Sequence, residues 1–184
     1  MPRQPLLRAR AAAVPRAAAG SIAVAVDAAR RGLLPAADIR RLAVVVRRAV
    51  AVIGRLPAEI SVRLLDDAGI AELHDRWLGV PGPTDVITFD LGVPGGPGLH
   101  GDIAVSVETA RRMAKQLGWD ARHELAYYAV HGLLHLAGED DIDPVDRRRM
   151  RLRERQVLAA LSLPGPPARR PRRPRRPRPP RGRP

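Results

Sequence analysis

Apolar and polar residues alternate along this chain with two different periods, and the switches between them mark out its elements. Ser21-Ile-Ala-Val-Ala-Val26 follows the two-residue period of a strand and is closed by Asp27. From Pro35 to about Gly54 the period lengthens. Leu42, Val45, Val46, Ala49 and Ile53 recur on one helical face, arginines fill the other, and Pro35 suits a first turn. Pro57 breaks the run. Ile60, Val62 and Leu64 then alternate with Ser61, Arg63 and Leu65 in a second strand that ends at Asp66-Asp67. Ala68 to Leu78 is a predicted short helix with Ile70, Leu73 and Trp77 on one side. Gly79 to Thr84 is a loop by its Gly and Pro content.

Asp85–Asp90 and Asp102–Val107 are predicted strands forming a hairpin-like pair, with a Pro/Gly-rich turn at 93–98. Glu108 to Leu117 is predicted helical and stops at Gly118. Asp120 suits the N-cap of the next helix. In it Ala126, Val130, Leu133 and Ala137 form an apolar stripe expected to face the sheet, while Glu124, Tyr128, His131 and His135 share a second stripe. Asp143-Pro144 opens a last helix, about 144–162, rich in Arg with leucines on one side. Four short strands with about five helices segregated around them predict a single α+β domain built on a small four-stranded mixed sheet.

Charge alters this picture mainly at the ends. The chain of 184 residues carries a formal charge of +13. Residues 164–184 hold nine Arg and no acid, and residues 1–20 hold four Arg and no acid, which leaves residues 21–163 with no net charge. Residues 1–20 are therefore expected to be a disordered leader, 21–163 the folded domain, and 164–184 a disordered Arg/Pro tail able to bind polyanions. Arg outnumbers Lys thirty-one to one, which GC-rich coding would also produce. Cysteine is absent, so disulfides and thiolate metal sites are excluded. No apolar run approaches the roughly 20 residues of a membrane span, and a cytoplasmic protein without membrane association is expected.

The chemistry gathers at His131-Gly-Leu-Leu-His135-Leu-Ala-Gly138-Glu-Asp-Asp141. Two histidines four apart on a helix project from one face and suit a single metal ion. Gly138 ends that helix and lets the chain fold back, so that Asp141 reaches the same ion as third ligand. Three protein ligands leave one position open, the mark of a catalytic rather than a structural site. Glu139 and Asp140 are candidates for a general base or for supporting a ligand from behind. Glu124 has two readings, an orienter of a ligand imidazole or a solvated surface acid. Asp85 and Asp102, at strand starts, either cap loops or line a cleft. His74, His100 and His123 are read as ordinary polar residues.

The stretch resembles the YbeY family of bacterial metal-dependent endoribonucleases. The family pattern H-G-x-L-H-L-x-G, followed by an aromatic, Asp and His, is met by His131, Gly132, Leu134, His135, Leu136, Gly138 and Asp140. Upstream, Pro83-Thr84-Asp85-Val86-Ile87-Thr88-Phe89 is similar to the family's P-T-D-V-[LI]-[ST]-F strand, and Gly101-Asp102-Ile103 to its G-D-I segment. Order and spacing agree across about residues 20–163. Two positions depart: Asp141 stands where the usual third ligand is His, and Leu78 where many members carry an Arg. Arg76, two residues earlier, becomes the candidate phosphate contact.

The resemblance implies a single-strand-specific endoribonuclease with one Zn2+ per chain, held by His131, His135 and Asp141. It further implies a role in late maturation of the 16S ribosomal RNA 3′ end and in ribosome quality control. Single-stranded RNA, ribosomal RNA and the small ribosomal subunit would be its partners. Two alternatives stay open. One is a non-catalytic ribosome-assembly factor that binds rRNA and holds a structural metal. The other is a zinc metallopeptidase, disfavoured because such enzymes place Glu directly after the first His, where this chain has Gly132.

Overall fold

A computed structural model describes residues 20–92 and 97–167. Strand β1 (Ile22–Ala28) leads into helix α1 (Ala36–Ile53), strand β2 (Ala58–Leu65) and helix α2 (Asp67–Leu78). Strands β3 (Val86–Asp90) and β4 (Leu99–Ser106) follow, then helices α3 (Val107–Leu117), α4 (Ala121–Leu136) and α5 (Pro144–Ala160). The sheet order is β1-β2-β4-β3. The first three of these strands run parallel, and β3 is antiparallel to β4, with Val86 opposite Val105 and Phe89 opposite Asp102. This is the mixed four-stranded α+β sheet that the alternation predicts. The predicted leader and Arg/Pro tail lie outside the described residues, apart from Gly20 and residues 164–167, as do residues 93–96 of the predicted turn.

The two-residue period divides the strands between two apolar layers. Ile60, Val62 and Leu64 of β2, with Ile103 and Val105 of β4, join the main core formed with α1, α4 and α5. Leu65, Ala104, Ile87 and Phe89 point the other way, against Ile70 and Leu73 of α2. Helix starts are set by side-chain caps that accept orphan backbone N–H groups. Asp66 accepts from Gly69 at α2, Ser106 from Thr109 at α3, Asp120 from Arg122 at α4, and Asp143 from Val145 and Asp146 at α5.

Helix α4 departs from the prediction in the face it turns to the sheet. Leu125, Ala129, Val130 and Leu133 are all buried, so this helix has apolar neighbours on most sides. Gly132 and Leu136, outside the predicted stripe, approach the strands most closely, while Val130 and Leu133 of that stripe are buried in the core shared with the sheet. A Cβ on Gly132 would lie 2.9 Å from Ile103 and 3.0 Å from Thr88, and one on Gly101 of β4 would lie 2.6 Å from Leu136. Ala126 instead borders Leu42 and Val45 of α1, and the Ala137 carbonyl accepts from Arg55 just past the end of α1. Close approach at two glycines is what lets the helix lie this near the strands. Period alone cannot tell which face of a helix buried all round will do so.

Candidate metal centre

Because α4 sits tight on β3 and β4, its histidine stripe points sideways into an open cleft of about 1260 Å³. His131 and His135 lie one turn apart with their Nε2 atoms 3.1 Å from each other. Behind them, each Nδ1 meets an acceptor. That of His131 lies 2.7 Å from a carboxylate oxygen of Glu154 on α5, and that of His135 lies 3.0 Å from the Glu139 carbonyl. A carboxylate and a carbonyl accept, so both Nδ1 atoms donate, and in the neutral form of each ring Nε2 carries a bare lone pair. Two such lone pairs at this distance repel one another unless a proton or a cation lies between them.

After Gly138, whose φ of +92° reverses the chain, the loop returns Asp141 to the same spot. Its Oδ1 lies 3.8 Å from His135 Nε2. Ligand atoms of His131, His135 and Asp141 all fall within 4.8 Å of one another. Two imidazoles and a carboxylate make a donor set suited to a zinc-type ion. The Nε2 separation is close to the edge of a tetrahedron drawn around such an ion, so the residues present fit a metal.

Glu154 is 3% exposed. It accepts from His131 on one oxygen and from the Tyr127 hydroxyl, at 3.2 Å, on the other. Burial raises the Tyr127 pKa and the Glu154 charge adds to it, so the phenol remains a donor. Burial disfavours the His131 cation, yet the hydrogen bond and charge of Glu154, with Asp141 and Asp85, outweigh it and raise the pKa above its ordinary value. A carboxylate behind a ligand imidazole fixes the ring's tautomer and increases its basicity.

Other predicted residues fall in varied places. Asp140 lines the cleft, and its Oδ1 accepts from the backbone N–H groups of Asp141 and Ile142, bracing the turn. Glu139 contributes its carbonyl to His135, but it is not among the residues lining the cleft. Arg76 lies against the Trp77 ring, 5.9 Å from its centroid, and is likewise not a lining residue. The arginines that do line the cleft are Arg112, Arg147, Arg151 and Arg155. Asp85 caps the start of β3 and also faces the cleft; Asp102 is buried within β4.

Neither reading of Glu124 holds. It is 3% exposed, so not a solvated acid. It accepts from Trp119 Nε1 at 2.6 Å and bonds the Tyr128 hydroxyl, while the orienting place behind a ligand histidine belongs to Glu154. His74, His100 and His123 have local partners: the Gly82 carbonyl, the Glu59 carboxylate and the Trp119 ring. A signal for Glu154 was present in the sequence. Met150, Glu154, Val157, Leu158 and Leu161 recur at helical spacing and are all buried, so one acid occupies a core position in an otherwise apolar stripe.

Comparison with known proteins agrees with this geometry. A family model described as Endoribonuclease YbeY matches residues 36–162. Endoribonuclease YbeY of Bradyrhizobium diazoefficiens is 42% identical over 121 residues, covering 62% of this chain and 66% of that protein. That of Mycolicibacterium smegmatis is 42% identical over 111 residues, covering 55% and 62%. That of Thermobifida fusca is 36% identical over 145 residues, covering 74% of this chain and 93% of its relative. The chain thus spans 66% and 62% of the first two relatives, under two thirds of either. A solution structure from Thermotoga maritima (TM1509) has the same fold: TM-score 0.51, 22% identity, 76% of this chain and 91% of that one covered. No described helix is long and apolar enough to cross a membrane. With a family model matched from α1 to the end of α5, over the elements that build the histidine pair and its supports, the chain belongs to the Endoribonuclease YbeY family.

Proposed function

We propose that this chain is a zinc-dependent endoribonuclease that cuts single-stranded RNA, with its active centre at His131, His135 and Asp141. The observation that carries the reading is the pair of Nε2 atoms 3.1 Å apart, with a carboxylate beside them, in the wall of an open cleft. Three ligands leave a position free for substrate. When bound, a zinc-type cation polarises a phosphoryl oxygen and makes water acidic enough to attack near neutral pH.

The chain's own residues supply the rest. Glu154 and the Glu139 carbonyl hold the two rings in the tautomer whose Nε2 is free to ligate. That Asp140 lines the cleft and Glu139 does not supports Asp140 as the group that takes a proton from the attacking hydroxyl. Arginines on the rim, rather than Arg76, are suited to the phosphates. Against a peptidase stands Gly132: a glutamate there would put its Cβ within 2.9 Å of Ile103.

Family membership supports a role in late maturation of the 16S ribosomal RNA 3′ end, in the cytoplasm, with the small ribosomal subunit as partner. The test is His135→Ala in the full chain. Its imidazole is partly exposed and its loss leaves the core untouched, so RNA cleavage should vanish while the circular-dichroism spectrum and the unfolding midpoint stay near wild type. Loss of folding together with zinc would instead make the metal structural. Retained cleavage would remove the site altogether.

A further inference from the structure

We infer that the cleft has two chemically distinct walls that hold one RNA strand by opposite sides: the bases against Trp77, the phosphates against Arg151 and Arg155. This rests on the ribonuclease reading and assigns the residues that would select single strands. Trp77 lies in the last turn of α2, which packs on β3 and α3, whereas α5 packs on α4 and α1. Between them lie β3 and α4, which pack on each other, α4 carrying the histidine pair, and residues of all four elements line the one cleft. Trp77 is 37% and Leu78 60% exposed, large apolar groups at the edge of a cleft. The Trp77 ring is braced edge-on by Phe89, with centroids 5.9 Å apart and planes at 78°. Arg76 brings a cation to the same ring.

On the other wall, Arg147, Arg151 and Arg155 recur every fourth residue along α5, and all are exposed and line the cleft. Arg147 is committed to the backbone carbonyls of Asp141 and Ile142. Among the described residues, neither Arg151 nor Arg155 has an acid within ion-pair distance. A rise of roughly 6 Å between them along the helix is close to the spacing of consecutive phosphates on an extended strand. Stacking platforms combined with a basic groove are how proteins bind single strands without reading sequence. In a duplex the base faces are already stacked, and Trp77 would have nothing to take.

The walls make separable contributions, so full-length variants can be compared by stopped-flow anisotropy, before cleavage, on a short oligoadenylate and its abasic counterpart. Trp77→Ala should weaken oligoadenylate binding roughly tenfold and leave the abasic strand unchanged; Trp77→Phe should restore most of the loss. The pair Arg151→Gln/Arg155→Gln should weaken both strands alike. It should also reduce the slope of log affinity against log salt by about 1.4, two phosphates at about 0.7 each. Basic terminal segments are common to every variant and cancel in the difference. If Trp77→Ala affects both strands equally or neither, or the arginine pair leaves the slope unchanged, the two-wall assignment is wrong. Should that happen while wild type still cuts RNA, the nuclease reading survives; a wild type that neither binds nor cuts RNA sinks both.

Discussion

The two halves of the candidate metal centre are mounted in opposite ways. His131 is held from the core: its helix lies against the sheet through Gly132, and its ring is tied to a buried carboxylate on α5. Asp141 is held from the surface, on the turn at 139–143, with a side chain 42% exposed and its backbone fixed by Arg147 and Asp140. His135 belongs to both, with its ring on α4 and its Nδ1 on the Glu139 carbonyl of the turn. The difference teaches that the site's precision and its adaptability have separate sources. Packing sets where the imidazoles stand, and a few exposed hydrogen bonds set where the Asp141 carboxylate stands.

The strongest test of the core half is Glu154→Ala. It strands the His131 N–H and the Tyr127 hydroxyl inside the protein, at a cost of about 1–3 kcal/mol measurable by urea unfolding. It should also weaken zinc binding about 10–100-fold in a chelator competition. Glu154→Gln keeps the shape and an acceptor for His131, so it should recover most of the stability and only part of the affinity. If Glu154→Ala leaves zinc affinity unchanged, the core half does not set the geometry of the rings.

On the loop half the same loss of one carboxylate should separate affinity from stability. Asp141→Asn should lower zinc affinity roughly tenfold, the low end of what an anchoring carboxylate contributes. The unfolding free energy should move by no more than about 0.5 kcal/mol. Asp141→His, which restores the family pattern, should hold zinc at least as well as wild type if the loop adapts freely. Failure of Asp141→His to bind zinc would show that the turn is built around the shorter side chain.

This asymmetry also governs what could be read from the chain before its structure. Strand alternation at Ile60–Leu65 and the i, i+4 pair His131/His135 are local patterns, and local periods fix both the sheet strand and the pairing of the two rings. Gly138 and the acidic run after it were enough to anticipate a reversal that brings Asp141 back to the histidines. What stayed hidden depends on which helix lies beside which. Glu154 is far along the chain from His131, and only the packing of α5 on α4 makes them partners. Arg76 looked suitable by sequence offset, but the rim arginines come from α3 and α5, which no offset along the chain reveals. For α4, whose buried residues surround its axis, nothing short of the tertiary structure identifies Gly132 as the point of contact.

A smaller effect probes the clamp on the turn. Arg147→Ala removes the two donors to the Asp141 and Ile142 carbonyls, each at 2.9 Å. Both bonds are solvent-exposed, so stability should change by no more than about 0.5 kcal/mol. Zinc affinity should fall several-fold, because Asp141 must then be ordered by the ion itself. An unchanged affinity would assign the ordering of the turn to Asp140 alone.

The smallest effect is expected in acid, at the junction where the turn becomes α5. Asp143 caps that helix, accepting from the N–H groups of Val145 at 2.6 Å and Asp146 at 3.0 Å. These bonds hold its carboxyl below the ordinary value of 3.8. Because the folded-state pKa is depressed, the stabilisation is complete above that ordinary value and is lost as pH falls through the lower folded one. Asn is an equally good cap and does not titrate there. Wild type and Asp143→Asn should therefore show a constant difference in first-turn amide exchange above about pH 6, where the carboxylate is ionised in both the folded and the opened state. Below it the wild type alone should loosen. Parallel curves through the whole acid range would mean that the charge on Asp143 contributes nothing to the cap, and that the N-terminus of α5 is held by its packing against α4.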